Sequence, residues 1–238
     1  MFRESFPKGV TVDNSCTKNE LNLFFNFKEL NMKKAVVVII TAFIAGFQTL
    51  CYYLVNQICS TFPASSLYNL NTVVDDIIPY MGFTWIIYYS GDLFMLIWAF
   101  VVILMLDKNK FKRAILIYII MIITGAVIQI LIPAVSPYPA ELTGVQTWFH
   151  KSVIDAQYAC FPSMHVALCI FPACIGMTAF KSLPLKIFPL VYAVLISIST
   201  LTIKEHYFLD LLGGVALALL FFFFWHYNLN DLMKRVVK

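Results

Sequence analysis

Charge is what this sequence has least of. Of its 238 residues only 13% are Asp, Glu, Lys or Arg, where a soluble domain carries about 25%. Hydrophobic residues make up 61%, and 22 residues are Phe. That balance excludes a soluble globular domain, a disordered chain and a nucleic-acid binder. Metal-type cysteine spacing is missing too. The six cysteines are Cys16, Cys51, Cys59, Cys160, Cys169 and Cys174, and no pair has the separation of a zinc site. They read best as small buried hydrophobes, although Cys59 and Cys160 share a side of the expected topology on which a disulfide could persist. No apolar stretch alternates with period two, which excludes barrel strands. There is no internal repeat, no low-complexity tract and no second domain.

What the chain does have is long apolar runs. A helix needs about 20 such residues to cross a bilayer. Six runs qualify: 35–55, 85–106, 114–135, 164–180, 187–203 and 207–227. The expected fold is therefore all-α, a six-transmembrane-helix bundle. Residues 1–31 are polar and mixed in charge and read as a cytoplasmic tail; residues 32–238 form the membrane domain. Met32-Lys33-Lys34 resembles a signal-anchor start. The run after it exceeds a typical signal core and ends in no clean cleavage site, so it is read as retained.

The few charges carry the orientation. Lys and Arg precede the first run, lie between the second and third and between the fourth and fifth, and follow the sixth. These places hold 15 of the 17 basic residues. The other three loops hold only Lys151 and Lys204, with Asp75, Asp76, Glu141, Asp155 and Glu205. Cytoplasmic loops are the basic ones, so both termini are expected inside.

Polar residues within or beside a span are expensive and therefore functional candidates. Two clusters qualify, both on the expected outer face. One is Phe161-Pro162-Ser163-Met164-His165, opening the fourth run. The other is Lys204-Glu205-His206-Tyr207-Phe208-Leu209-Asp210, opening the sixth. His206 and Asp210, four apart, share a helix face. A carboxylate there holds one imidazole nitrogen and leaves the other free to attack or to ligate. Pro162 and Ser163 mark a helix start, whose free amides suit an anion.

These residues resemble the type 2 phosphatidic acid phosphatase superfamily of six-helix membrane lipid phosphatases. That family's second motif reads Pro-Ser-Gly-His, with variants at the third position; here it is Pro162-Ser163-Met164-His165. Its third reads Ser-Arg, five residues, His, three residues, Asp; here Ser199-Thr200 leads to His206 and Asp210. The resemblance implies a site with its active face outward. His206 would attack phosphorus to form a phosphohistidine, Asp210 would orient it, and His165 would serve as acid and then base. Ser163, Met164 and Lys204 would bind the phosphate. No cofactor or metal is implied. The partners would be the bilayer and a phosphate-bearing membrane lipid, in a plasma or inner membrane.

Three clamp cations of the family pattern are absent. In the first motif, Lys, six residues, Arg-Pro, the Lys position is Leu131 and the Arg position is Tyr138. In the third motif Thr200 replaces Arg. That departure resembles the inositol phosphorylceramide and sphingomyelin synthase-like branch, whose phosphodiester substrates carry less charge. Rival readings are a metalloenzyme with His165, His206 and Asp210 as two-His-one-carboxylate ligands, and a transporter or scaffold. Lys151 and His150 are weaker phosphate candidates. Asp92 has no assigned role but should face the bundle interior, with Tyr88 or Tyr89 near. Asp75-Asp76 read as a solvated loop in preference to a headgroup or cation site. Gly213-Gly214 should permit close helix packing. Trp85, Trp98, Trp148 and Trp225 read as interfacial or lipid-facing rings, and His226 lies at the cytoplasmic end.

Overall fold

The computed structural model describes residues 34–137 and 158–227. The 1–31 tail, Tyr138, Glu141, Trp148, His150, Lys151 and Asp155 lie outside the described residues, as do Cys16 and the basic residues after the sixth run. Seven α-helices follow in order: α1 (Lys34–Ser60), α2 (Val73–Ile77), α3 (Trp85–Leu104), α4 (Lys108–Leu131), α5 (Met164–Ala179), α6 (Leu183–Thr202) and α7 (Phe208–His226). Single 3-10 turns occupy Ala64–Ser66 and Gly82–Thr84. Among the described residues there is no strand, only isolated bridges joining Tyr68 to Ala134 and Ala134 to Ala159. The chain is all-helical.

Among the described residues four helices are long and apolar enough to cross a membrane: Ile39–Ser60, Lys108–Leu131, Leu183–Thr202 and Phe208–His226. α3 has 20 residues, and α5, also apolar, has only 16. α5 is the axis of the bundle. Every residue from Val166 to Gly176 is buried, as expected of a helix that is apolar all round. It packs against α3, α6 and α7, while α1 lies on α4.

Loops tie each end of the bundle. At one end the Tyr68 amide donates to the Pro133 carbonyl (2.8 Å), Met81 to Thr202 (2.8 Å) and Ser163 to Asp210 (3.0 Å). At the other, the Arg113 guanidinium donates to the carbonyls of Phe224 and Tyr227, and Trp225 Nε1 to that of Lys110. The second end therefore collects the basic segment 108–113. α4 begins there, earlier than its apolar run, because Asp107 caps it: Oδ1 accepts from the amides of Asn109 (3.1 Å) and Lys110 (3.0 Å).

Two expectations change. Asp75-Asp76 are not a solvated loop: they lie in α2, and Asp75 is buried. Its Oδ2 accepts from the Thr72 amide (2.8 Å) and hydroxyl (2.6 Å), and its Oδ1 accepts from the Phe208 amide (2.7 Å). Trp98 and Trp225 do not face lipid; both are buried in the core. Trp98 is covered where Gly176 lets α5 approach α3 and where the Phe180 ring packs against it, tilted, at 5.5 Å between centroids. Cys59 and Cys160 are buried free thiols, in line with the reading of the cysteines as small buried hydrophobes.

Candidate active site

Both motif clusters sit at the end of the bundle where α5 and α7 begin. Ser163 caps α5 and is fully buried, with its hydroxyl toward the Val166 amide at 3.5 Å. Its own amide donates to the Asp210 carbonyl at 3.0 Å, so the starts of the two helices are bonded directly. Close approach explains the paired glycines. A Cβ on Gly214 would overlap the Ser163 carbonyl oxygen, and one on Gly213 would meet the Phe161 ring at 2.7 Å. The Met164 side chain leaves the site and fills the space over Gly125 of α4.

The third-motif loop is a tight reversal. The Thr200 carbonyl accepts from the amides of Glu205 (3.1 Å) and His206 (3.3 Å). Lys204 takes φ of 60° to make the turn, a left-handed conformation that L-residues avoid. Its ammonium is anchored on the carbonyls of Asp75 and Ile78, both at 2.7 Å. α7 then starts at Phe208, with Asp210 Oδ2 reaching back to the Tyr207 amide at 2.8 Å.

This framework brings the histidines together. The His165 and His206 rings lie 6.2 Å apart between centroids, tilted by 62°. His206 is buried, and its Nδ1 lies 3.4 Å from Oδ2 of Asp210, which is wholly inaccessible. Asp210 Oδ1 has no hydrogen-bond partner among the described residues. His165 has a carboxylate of its own. Its Nε2 lies 3.2 Å from Asp92 Oδ1, and its Nδ1 3.5 Å from the Tyr88 hydroxyl. Asp92 is more than half exposed, rather than turned into the bundle interior as its position in an apolar run implies. A cavity of about 410 Å³ opens beside His206, lined by Asn71, Asp75, Asp76, Tyr80, Pro137 and Lys204 among others.

The nearest group with metal-ligand chemistry is not the expected one. Ligand atoms of Cys160, His206 and Asp210 lie within 4.8 Å of one another; His165 is not in that group. The Cys160 sulfur contacts the Ser136 hydroxyl at 2.8 Å. Burial, and then the nearby Asp210 carboxylate, push this thiol well above its ordinary pKa, so at neutral pH it is a neutral packing group.

Two supporting residues escaped the sequence reading. Gln129, buried in α4, donates to the carbonyls of Ala159 (3.0 Å) and Pro162 (3.2 Å) and so fixes the loop that presents the second motif. The signal was available: a Gln inside a membrane-length apolar run demands an internal partner. The second is Asp75, whose carboxylate joins α2 to the first amide of α7. Its capping of α2 has a local signature, Thr72 three residues ahead of Asp75, but its bond to Phe208 has none, because that partner is 133 positions away.

Fold and site together define a helical membrane protein with a histidine pair, each ring held by a carboxylate, at one end of the bundle. More particularly, the sequence model of the PAP2 superfamily matches residues 62–224, and the chain belongs to that superfamily, the type 2 phosphatidic acid phosphatases. Searches among curated proteins and among solved structures each return no match. Members of the superfamily are generally phosphatases or phosphotransferases, which supports an enzyme with a phosphatase-type lipid function. With its four membrane-length helices, the chain is an integral membrane protein.

Proposed function

We propose that this protein transfers a phosphoryl or phosphodiester group of a membrane lipid through a phosphohistidine on His206. One observation carries the reading: two imidazoles from different helices stand 6.2 Å apart, each with one nitrogen held by a carboxylate. Asp210 holds Nδ1 of His206 and leaves Nε2 to attack phosphorus. As the Nε2–P bond forms, the P–O bond to the lipid breaks, and His165 gives its proton to the leaving oxygen. The imidazole becomes cationic beside a buried carboxylate, whose negative charge then has a close counter-ion. The Met164 amide, at the start of α5, receives a phosphoryl oxygen as a helix N-terminus does, whereas the Ser163 amide is taken by the Asp210 carbonyl. Lys204, fixed on two carbonyls, adds positive potential to the cavity it shares with His206. In the second half, His165 takes a proton from the acceptor, whose oxygen displaces His206.

The orientation that fits this chemistry is the one the basic residues dictate. Six spans put both termini inside and the site at the outer face of a plasma or inner membrane.

A water acceptor gives a phosphatase, and an alcohol acceptor gives a headgroup transferase of the inositol phosphorylceramide or sphingomyelin synthase type. The charge around the cavity favours the second. Among the described lining residues Lys204 is the sole Lys or Arg, and its ammonium is already engaged by carbonyls. Thr200, in the family's Arg position, is buried with its hydroxyl on the Ser197 carbonyl at 2.8 Å. A dianionic monoester needs more positive charge around its equatorial oxygens than a monoanionic diester does.

The test is turnover of phosphatidate and of phosphatidylcholine by the purified chain in lipid vesicles, with and without an alcohol acceptor. Vanadate should inhibit, and acid-labile phosphate should appear on His206. Unchanged turnover in His206→Ala would defeat the reading.

A further inference from the structure

Asp92 lies in α3, outside both motifs. A carboxylate in an apolar helix is costly, and it persists where it has a partner or a task. Here the partner is His165, at 3.2 Å from Nε2. Tyr88, four residues earlier on the same face of α3, holds the same ring. Its hydroxyl lies 3.5 Å from Nδ1, and the two rings pack with centroids 4.6 Å apart. Gly91 lets that stretch of α3 close on α6, where a Cβ would lie 3.1 Å from Ile196. The imidazole is thus set from one side by a carboxylate and an aromatic face, both on one helix. The arrangement repeats the one around His206, where Asp210 takes one nitrogen and leaves the other for chemistry.

We infer that Asp92 is the positioning carboxylate of the acid–base histidine, holding His165 Nε2–H so that Nδ1 delivers and recovers the proton. In the first half-reaction the P–O bond breaks and its electron pair stays on the leaving oxygen. The Nδ1 proton moves to that oxygen while the bond from phosphorus to His206 Nε2 forms. In the second half-reaction the neutral Nδ1 takes the proton of the acceptor hydroxyl. The acceptor oxygen bonds phosphorus, and the P–N bond breaks. Throughout, Nε2–H stays on Asp92, whose negative charge favours the imidazolium that must exist before each proton is delivered. The contact with Tyr88 at Nδ1 is long for a hydrogen bond and yields to a leaving oxygen.

The inference rests on the reading of His165 as acid and base, and its test is separable from that reading. An alkyl leaving oxygen needs a proton; a p-nitrophenolate does not. The full chain in vesicles is given dioctanoyl phosphatidate and dioctanoyl phosphatidylcholine as alkyl esters, and p-nitrophenyl phosphate and p-nitrophenyl phosphorylcholine as aryl esters. Acid–base assistance is worth about 100-fold or more. Asp92→Asn should therefore lower kcat/KM for the donor, which reads the first half-reaction alone, by about that factor for the alkyl esters and by only about 5-fold or less for the aryl esters. Asp92→Glu should recover part of the alkyl rate. In a His165→Gln background, Asp92→Asn should add no further loss.

Equal loss on both ester types, or a loss that adds to that of His165→Gln, overturns the inference. Should Asp92→Asn not accumulate, Asp92→Glu carries the same test: its alkyl-to-aryl rate ratio must fall below that of the unmutated chain, and an unchanged ratio overturns the inference. Failure of the phosphohistidine reading looks different, because an aryl ester then leaves no phosphate on His206 even in the unmutated chain.

Discussion

At the scale of single residues, the site depends on buried polar groups with fixed partners. Asp75 accepts three hydrogen bonds, from the Thr72 amide and hydroxyl and the Phe208 amide. Asp75→Ala strands those donors in a partly buried place, where each orphaned group costs about 1–3 kcal/mol. The expected outcome is a clearly lowered thermal midpoint in detergent, together with reduced turnover, because the first amide of α7 loses its anchor. An unchanged midpoint would show that the contact contributes nothing. The paired glycines give a graded comparison. A methyl on Gly214 meets a backbone carbonyl, which cannot move without shifting α5; a methyl on Gly213 meets the edge of the Phe161 ring, which can. Overpacking costs about 1–3 kcal/mol, so Gly214→Ala should lose most of its activity and several degrees of stability while Gly213→Ala loses less. Equal effects would contradict the close contact between Ser163 and Gly214.

At the scale of elements, the chemistry of the caps decides where helices begin. The apolar run of α4 starts at 114, yet the helix starts at Lys108 because Asp107 satisfies two amides ahead of it. Asp107→Ala should cost about 1 kcal/mol and fray the basic first turn. Its pH dependence has a definite sign. The hydrogen bond from the Lys110 amide comes first among the causes that lower this carboxyl's pKa in the folded chain. Its stabilisation is therefore complete above the ordinary carboxylate range, about pH 4, and is lost as pH falls through the lowered folded value. Unfolding followed between pH 3 and pH 7 should show the gap between the two chains closing toward acid; a constant gap would assign the loss to helix propensity alone. The elements also show what the sequence concealed. α5 was legible at both ends, because Pro162-Ser163 starts it and the apolar run stops at its close. The rotation of α3 was not. Its apolar residues surround the helix, so no periodicity said which face meets α5, and the pairing of Asp92 with His165 spans 73 positions. His165, His206 and Asp210 were legible as candidates because two of them sit four apart at a helix start and the third opens another apolar run. Their mutual distance follows only once Gly214 and Ser163 bring α5 and α7 together.

At the scale of the whole molecule, orientation and site must agree. The described basic residues separate by end: Lys34, Lys108, Lys110, Lys112, Arg113, Lys181 and Lys186 lie at the end away from the histidines, and Lys204 lies beside them. Lys204 keeps its charge on two carbonyls, but it is the one described basic residue on its side. Basic residues resist translocation, and the six alternating spans expected from the sequence would return each basic segment to one side. The end bearing His165 and His206 should therefore face away from the cytoplasm. The geometry offers one reporter at each end: Ser65, exposed in the turn after α1, and Lys112, exposed in the first turns of α4. Changing Cys16 and Cys51 to Ala leaves only buried thiols, at Cys59, Cys160, Cys169 and Cys174. In that background Ser65→Cys should react with a membrane-impermeant maleimide on intact cells, and Lys112→Cys only after permeabilisation. The reverse pattern would place the site in the cytoplasm, and labelling of both in intact cells would mean that the helices do not alternate across the bilayer. Either result would remove the outer-face chemistry, since the acceptor would then have to come from the other compartment.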